Sequence, residues 1–358
     1  MVVTEGDRAR RGGGDPGLIL ATVLGGFGEL VAELGGDADA LMRANRLDPA
    51  LIAQPDRKLP FDAYARLLET TAAALDCEDF GMRLAGLQNG LSLMGPVGPA
   101  LGSSQTIGEV FTYGSRHMHI YSSAVHTHLA HDAECNQYLL KFEVLADGVP
   151  HRRQVMEQLL AITCDDAIAL SGGRARVREL WFAHEALAAA DVYRRRYGAP
   201  VRFSEPYDAV LFDPADIACK VPTGDKAMLD SLLETISRRY PYEPRIGARV
   251  RQVINRTLHD PDCTRANVAA VLGLHPRTLH RRLREEGKTF ETIKDQVRRE
   301  MAAHYLAESG APLGDVAARL GFAELATLSR ACRRWFGDTP SELRRSLASG
   351  RDRRAGPR

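Results

Sequence analysis

The sequence predicts an α+β N-terminal domain over residues 18–235 and an all-α C-terminal domain over 247–346 with two helix-turn-helix motifs. Three observations predict it. A helix–glycine–helix pattern at 266–283 recurs at 313–330. The residues before 236 mix helical periodicity with strand-like alternation. The charges divide at the same place: residues 245–358 carry 23 Lys and Arg against 13 Asp and Glu, and residues 1–244 carry 24 against 33. A chain net charge of +1 therefore hides a basic end attached to an acidic body. That asymmetry suits a C-terminal part that meets a polyanion while the body stays away from it.

Taken in order, the chain begins by imitating a signal peptide, with Arg8, Arg10 and Arg11 ahead of the apolar stretch Gly17–Leu24. No small-x-small cleavage site follows, and Glu29 and Glu33 fall at helical spacing. The reading is a disordered leader over 1–16 and a first helix over 18–34. Helical patterns follow at 37–45, 60–75, 106–120, 151–170 and 186–197. Alternation predicts strands at 121–130 (Tyr121, Val125, Thr127, Leu129) and 136–145 (Tyr138, Leu140, Phe142, Val144), with His131-Asp132-Ala133-Glu134 as the hairpin turn. Further strands are expected at 177–183 and 201–212. Pro241-Tyr242-Glu243-Pro244 reads as a linker and places the boundary at 236–246. The Arg- and Gly-rich tail 348–358 is expected to be disordered.

In the C-terminal domain, each unit opens with a short helix, 267–272 and 313–320. Apolar residues recur at helical spacing: Val268, Val271 and Leu272 in one, Val316, Ala317 and Leu320 in the other. Gly273 and Gly321 stand where a left-handed residue ends such a helix. Leu274 and Phe322 follow as plugs for the corner. Pro276 opens the next helix, where its missing N–H costs nothing. A helix at 290–307 joins the units. The second helix of the first unit presents Arg277, Thr278, His280, Arg281, Arg282 and Arg284. That of the second presents Thr327, Ser329, Arg330, Arg333 and Arg334. Arginine can bond guanine O6 and N7 bidentately and can also neutralise phosphates.

Residues 246–345 resemble the DNA-binding domain of the AraC/XylS family of bacterial transcription regulators. The resemblance rests on His275-Pro276-Arg277-Thr278-Leu279-His280-Arg281-Arg282-Leu283, Val297-Arg298-Arg299-Glu300, Gly321-Phe322-Ala323-Glu324 and Arg333-Arg334-Trp335-Phe336-Gly337-Asp338-Thr339-Pro340. Leu328, Cys332 and Leu343 replace the family's usual aromatics, apolar for apolar. The resemblance implies seven helices, with two recognition helices entering successive major grooves of double-stranded DNA. It carries base reading onto Arg277, His280 and Arg281, and onto Leu325, Ala326, Thr327, Ser329 and Arg330. Arg277, Arg281 and Arg330 are expected to give most hydrogen-bonded readout, and Leu325 and Ala326 to touch thymine methyls or pack. Arg282, Arg333 and Arg334 are expected on phosphates, where they position without specifying.

The N-terminal part resembles the arabinose-binding-type sensor domain of the OruR/VirS-like branch. The resembling residues are Leu59-Pro60-Phe61, Phe80-Gly81-Met82-Arg83-Leu84, Leu93-Met94-Gly95-Pro96-Val97-Gly98, Tyr193-Arg194 and Pro200-Val201-Arg202-Phe203. That resemblance implies a small-molecule effector, apolar or acidic such as a fatty acid, that modulates DNA binding or recruitment of RNA polymerase. Activation is the family's commoner action. Polar-tipped aromatics suggest Tyr113, His117, Tyr121, Tyr138 and Lys141 as an effector-pocket lining. The alternative is a dimerisation or protein-interaction module without ligand. Two recognition helices in one chain leave a homodimer permitted but unnecessary for DNA binding.

Other classes are set aside by what is missing. The sequence has no GxSxG, Walker loop or Rossmann glycine fingerprint, and Gly12-Gly13-Gly14 precedes no strand–helix unit. Asp165 and Asp166 are adjacent on one helix, so they point to different sides and cannot work as a catalytic pair. No cofactor and no enzyme activity are expected. His126, His128 and His131, with His117 and His119, are the candidates for metal ligation; the preferred reading is an exposed polar strand face without metal. Six cysteines without a CxxC pair argue against zinc fingers and a disulfide framework and fit a reducing, cytoplasmic setting. No apolar run approaches the roughly 18 residues of a membrane span.

Overall fold

A computed structural model describes residues 17–132, 135–144, 152–205, 207–240, 246–260, 263–308 and 312–345. The expected leader 1–16, tail 348–358, Pro241–Glu243–Pro244 linker segment and the Ala133–Glu134 part of the hairpin turn lie outside these residues. The chain divides into two compact units, Met1–Tyr242 and Glu243–Arg358.

The first unit opens with β1 (Leu18–Leu20), α1 (Phe27–Glu33), α2 (Ala38–Ala44), β2 (Lys58–Pro60), α3 (Phe61–Ala74), α4 (Phe80–Ala85), α5 (Gly90–Leu93), α6 (Gly98–Gly102) and α7 (Ile107–Tyr121). Then come β3 (Val125–Asp132), β4 (Gln137–Val144), α8 (Arg153–Leu170), β5 (Glu179–Trp181), α9 (Ala190–Tyr197), β6 (Val201–Arg202), β7 (Asp208–Phe212), α10 (Pro214–Ile217) and α11 (Lys226–Arg239). β3 to β7 form one sheet in the order β3-β4-β7-β5-β6, antiparallel except for the β5–β6 pair.

Alternation along these strands separates two faces. Leu140, Phe142, Leu180, Val210 and Phe212 join the main core with α7 and α8, and the rings of Phe111 and Phe212 lie 5.2 Å apart. Leu139, Trp181, Ala209 and Leu211 form a smaller cluster on the opposite face with Tyr207 packed on it. α8 is buried along most of its length; Gln158 accepts from the hydroxyl of Tyr64 at 2.7 Å, and Gln154 accepts from the amide of Gly81 at 2.7 Å.

Several elements differ from the sequence expectation. The helix expected over 18–34 is a strand, a 3-10 turn and then α1. Leu18–Leu20 pairs with Lys58–Pro60, and Gly26 at φ +76° breaks the run before Phe27. The strand expected from Tyr121 starts at Val125, because Tyr121 ends α7 and the Ser122 hydroxyl, accepting from the amides of Ala124 and Val125, turns the chain. The run 201–212 is two strands, one at each place in the sheet. Residues 236–239, expected in the linker, complete α11.

The second unit consists of α12 (Ile246–Thr257), α13 (Arg265–Val271), α14 (Pro276–Glu285), α15 (Phe290–Glu308), α16 (Leu313–Arg319) and α17 (Leu325–Phe336), with a further helical stretch at 340–345. Its core is continuous from Ile246 and Val250 through Leu279, Leu283, Val297, Val316 and Leu320 to Leu328 and Cys332. Of the three residues that replace the family's usual aromatics, Leu328 and Cys332 are fully buried and Leu343 is half-buried against the same core.

Candidate nucleic-acid interface and an apolar cavity

The two helix-turn-helix units are built alike. In the first, Thr264 caps α13, Gly273 turns the chain at φ +67° and His275 caps α14 through the amide of Arg277. In the second, Gly321 makes the same turn at φ +66°. A β-carbon at Gly321 would lie 2.3 Å from the carbonyl oxygen of Leu258, so glycine is required there for space as well as conformation. Leu274 and Phe322 are half-buried against the domain core at the two corners.

Each second helix buries one stripe and exposes another. α14 buries Leu279 and Leu283 and exposes Arg277, His280, Arg281, Arg282 and Arg284; Thr278 is half-buried beside them. α17 buries Leu328, Ala331 and Cys332 and exposes Leu325, Ala326, Arg330, Arg333 and Arg334, with Thr327 and Ser329 half-buried. Leu325 is 42% exposed at the helix start. An apolar side chain held in water at that position costs hydration unless something apolar covers it.

The arginines are not equivalent. Arg281 pairs with Glu285 one turn on at 3.1 Å, and Arg330 donates to the Thr327 hydroxyl at 3.1 Å. Arg334 is held against α15 by Asp295 at 2.5 Å, and the same carboxylate accepts from the Trp335 indole at 2.9 Å. Arg277, Arg282 and Arg333 have no acceptor among the described residues. Both turns are also pinned by an arginine from outside the units. Arg249 of α12 donates to Leu272 O at 3.4 Å, and Arg298 of α15 donates to Leu320 O at 2.9 Å and Gly321 O at 2.6 Å.

The first unit holds a cavity of about 100 Å³, open to solvent on one side, between α5, α6, α7, α8 and the β3–β4 pair. Its walls are mostly Leu, Met, Val, Ile and Phe side chains, among them Met94, Leu101, Phe111, Met118, Leu140 and Phe142. Polar atoms come from Ser115, Tyr121, Thr127, Thr163 and Asp166. The Thr127 hydroxyl donates to that of Ser115 at 2.9 Å, and that of Thr163 to Leu159 O at 2.9 Å. Asp166 Oδ1 accepts from the amide of Gly90 at 3.2 Å. Burial, with neighbouring Asp165 adding repulsion, pushes the Asp166 carboxyl up to about 7 despite that hydrogen bond.

Of the five residues expected to line an effector pocket, Tyr121 lines this cavity and Tyr113, His117, Tyr138 and Lys141 do not. Lys141 lies on the other face of the sheet, its ammonium 4.0 Å from the Tyr207 ring centroid. The rings of Tyr138 and His131 are tilted at 41° with centroids 4.7 Å apart, and His117 turns its Nδ1 to Tyr113 O at 2.9 Å. A two-residue alternation decides each strand position, and Leu140 and Phe142 were the readable signal. Asp166, Thr163 and Ser115 were missed because nothing local marks them. Asp165 and Asp166 do face different ways: Asp165 pairs bidentately with Arg196 at 2.9 and 2.6 Å. Alternation likewise puts His131 on the opposite face of β3 from His126 and His128, so the three cannot converge on one ion.

An all-α domain with two such units, each offering a cationic helix face over a buried leucine stripe, defines a DNA-binding transcriptional regulator. Residues 268–346 match the helix-turn-helix domain model, and residues 35–221 match that of the arabinose-binding domain of AraC transcription regulator, N-terminal. The chain belongs to the AraC family of transcription regulators. It is 33% identical over 330 residues to the HTH-type transcriptional regulator VirS of Mycobacterium tuberculosis, covering 91% of this chain and 96% of the relative. It is 26% identical over 332 residues to the ornithine utilization regulator of Pseudomonas aeruginosa, covering 88% and 93%. Among solved structures, the transcriptional regulator CdpR of Pseudomonas aeruginosa aligns over 86% of this chain and 96% of that one, with 20% identity and a TM-score of 0.42. Among the described residues no helix is long and apolar enough to cross a membrane.

Proposed function

We propose that this protein is a one-component, effector-responsive transcription activator. α14 and α17 enter two successive major grooves of double-stranded DNA, and the bound protein recruits RNA polymerase. A small molecule in the cavity of the N-terminal unit modulates DNA binding or recruitment. The observation that carries the reading is the pair of exposed arginine-bearing helix faces in one chain. Arg277, Arg281 and Arg330 read bases; Arg282 and Arg333 hold phosphates; Arg334, tied to Asp295, sets the pose of α17. The largely apolar cavity favours an effector over a ligand-free interaction module. One chain supplies both recognition helices, so a homodimer is permitted but not needed.

The test is a footprint on a site selected from random duplex DNA. Protection of two major grooves about one helical turn apart is expected. Affinity is expected to fall steeply with salt, in keeping with roughly 5–8 neutralised phosphates. Protection of a single groove, or binding indifferent to salt, overturns the proposal.

A further inference from the structure

The cavity of the N-terminal unit has one ionisable acid in its wall and no base. Lys141, one of the residues expected to line an effector pocket, is on the far side of the sheet, over Tyr207. Asp165, next in sequence to Asp166, spends its charge on Arg196. Asp166 therefore faces a space lined by Leu91, Met94, Ile162 and similar groups, and among the described residues the Gly90 amide alone is hydrogen-bonded to it. Gly90 lets the carboxyl come this close, since a β-carbon there would overlap Asp166 Oδ2.

From this arrangement we infer that the effector is a compact primary amine, its ammonium seated on Asp166 and its hydrocarbon body filling the rest of the cavity. The inference rests on the effector reading above and names the chemistry of that same site. A carboxylate ligand would set two like charges together against mostly apolar walls, with no base among the lining residues to offset either. An ammonium does the reverse, because a buried charge is tolerated when paired and hydrogen-bonded. Thr163, one turn before Asp166 on the same face of α8, offers a hydroxyl oxygen beside it. The Tyr121 hydroxyl, without a hydrogen-bond partner among the described residues, offers another polar atom in the wall. A cavity of about 100 Å³ is smaller than the roughly 150 Å³ site that holds a benzene ring, so the part of the ligand seated inside it is compact.

The experiment is calorimetric titration of the full-length protein with isobutylamine, isobutanol and isobutyrate, which share one carbon skeleton and differ in the head group. The amine is expected to bind best at pH 8, at least tenfold more tightly than the carboxylate. The free Asp166 carboxyl must give up its proton to pair with the ammonium, so amine affinity should fall about tenfold per pH unit below about pH 7. Isobutanol should show no such slope. Asp166→Asn keeps an oxygen for the Gly90 amide and should cost the amine at least tenfold while sparing isobutanol. The pH profile of the unaltered protein tests the same point should that variant fold poorly. Tighter binding of isobutyrate, or of isobutanol at every pH, overturns the amine but keeps an effector cavity. No binding by any of the three overturns both readings.

Discussion

Arg298 holds the second helix-turn-helix corner from outside: its Nη2 donates to Gly321 O at 2.6 Å. Nε of the same guanidinium reaches Leu320 O at 2.9 Å, and the plane lies 4.2 Å from the centroid of Phe322. The carbonyls at the end of α16 have no helical partners of their own, and a planar fork of donors meets two of them at once. α15 thus sets the angle at which α17 leaves the turn.

Replacing Arg298 with alanine removes both bonds and the ring contact. Stability of the second unit should drop by about 3–6 kcal/mol, each of the two charge-assisted bonds being worth about 1.5–3. DNA affinity should fall with it. Arg298→Lys keeps the charge but cannot span both carbonyls, so it should recover only part of the loss. Thermal unfolding of the full chain measures this; an alanine variant as stable as the parent would refute it.

The two turn glycines should respond differently to alanine. Both have positive φ, which alone costs about 1–2 kcal/mol. At Gly273 nothing lies within 4 Å of the added carbon, whereas at Gly321 it meets Leu258 O at 2.3 Å. Gly321→Ala should therefore be the more damaging by a wide margin in denaturant unfolding. Equal losses would mean that the close approach to Leu258 is relieved by a shift of α12.

Arginine substitutions on the recognition helices should sort by what they touch. Arg277→Ala, Arg281→Ala and Arg330→Ala should each weaken binding by about 1–3 kcal/mol and relax preference at one base step. Arg282→Ala and Arg333→Ala should weaken binding on every sequence and lower the salt slope by about 1. Binding assays on a set of single-base operator variants, repeated at several salt concentrations, separate these outcomes. A uniform loss for Arg277 would move it to a phosphate.

Stability of the first unit should decline as pH rises above the ordinary carboxylate range. Glu157 is fully buried; burial pushes its carboxyl from 4.5 up to about 8, although Tyr193 donates to Oε1 at 2.5 Å. The folded chain then keeps a proton that the unfolded chain releases. Stability is highest below pH 4.5 for this group and is lost between pH 4.5 and about 8, by up to about 1.4 kcal/mol per pH unit. Asp166 acts in the same sense between 3.8 and about 7. Glu157→Gln should flatten the profile across that range. An unchanged slope in denaturant midpoints from pH 5 to 8 would assign the effect elsewhere.

The C-terminal domain was legible because its signals are local. Glycine at a left-handed turn, proline at a helix start and apolar residues every third or fourth position act within a few residues of themselves, and α13 to α17 follow them. The exposed arginine faces follow from the same periodicity. Residues 18–34 show where local signals stop: their helical spacing yields to β1, because Leu18–Leu20 finds Lys58–Pro60 as a pairing partner far along the chain. The same holds for the arginines. Sequence spacing marks Arg281 and Arg334 alike as surface cations, but only the packed domain brings Asp295 to Arg334 and Arg298 to Gly321.

By itself, the sequence determined a two-domain regulator with two recognition helices, since helical periodicity, turn chemistry and net charge need no knowledge of distant neighbours. The tertiary structure alone decided where the N-terminal unit has room for a ligand and which charge faces it. Asp166 on α8, Gly90 on α5, Tyr121 on α7 and Leu140 on β4 meet only when the sheet closes over the helices. A cavity is the space left between elements, and no single element encodes it.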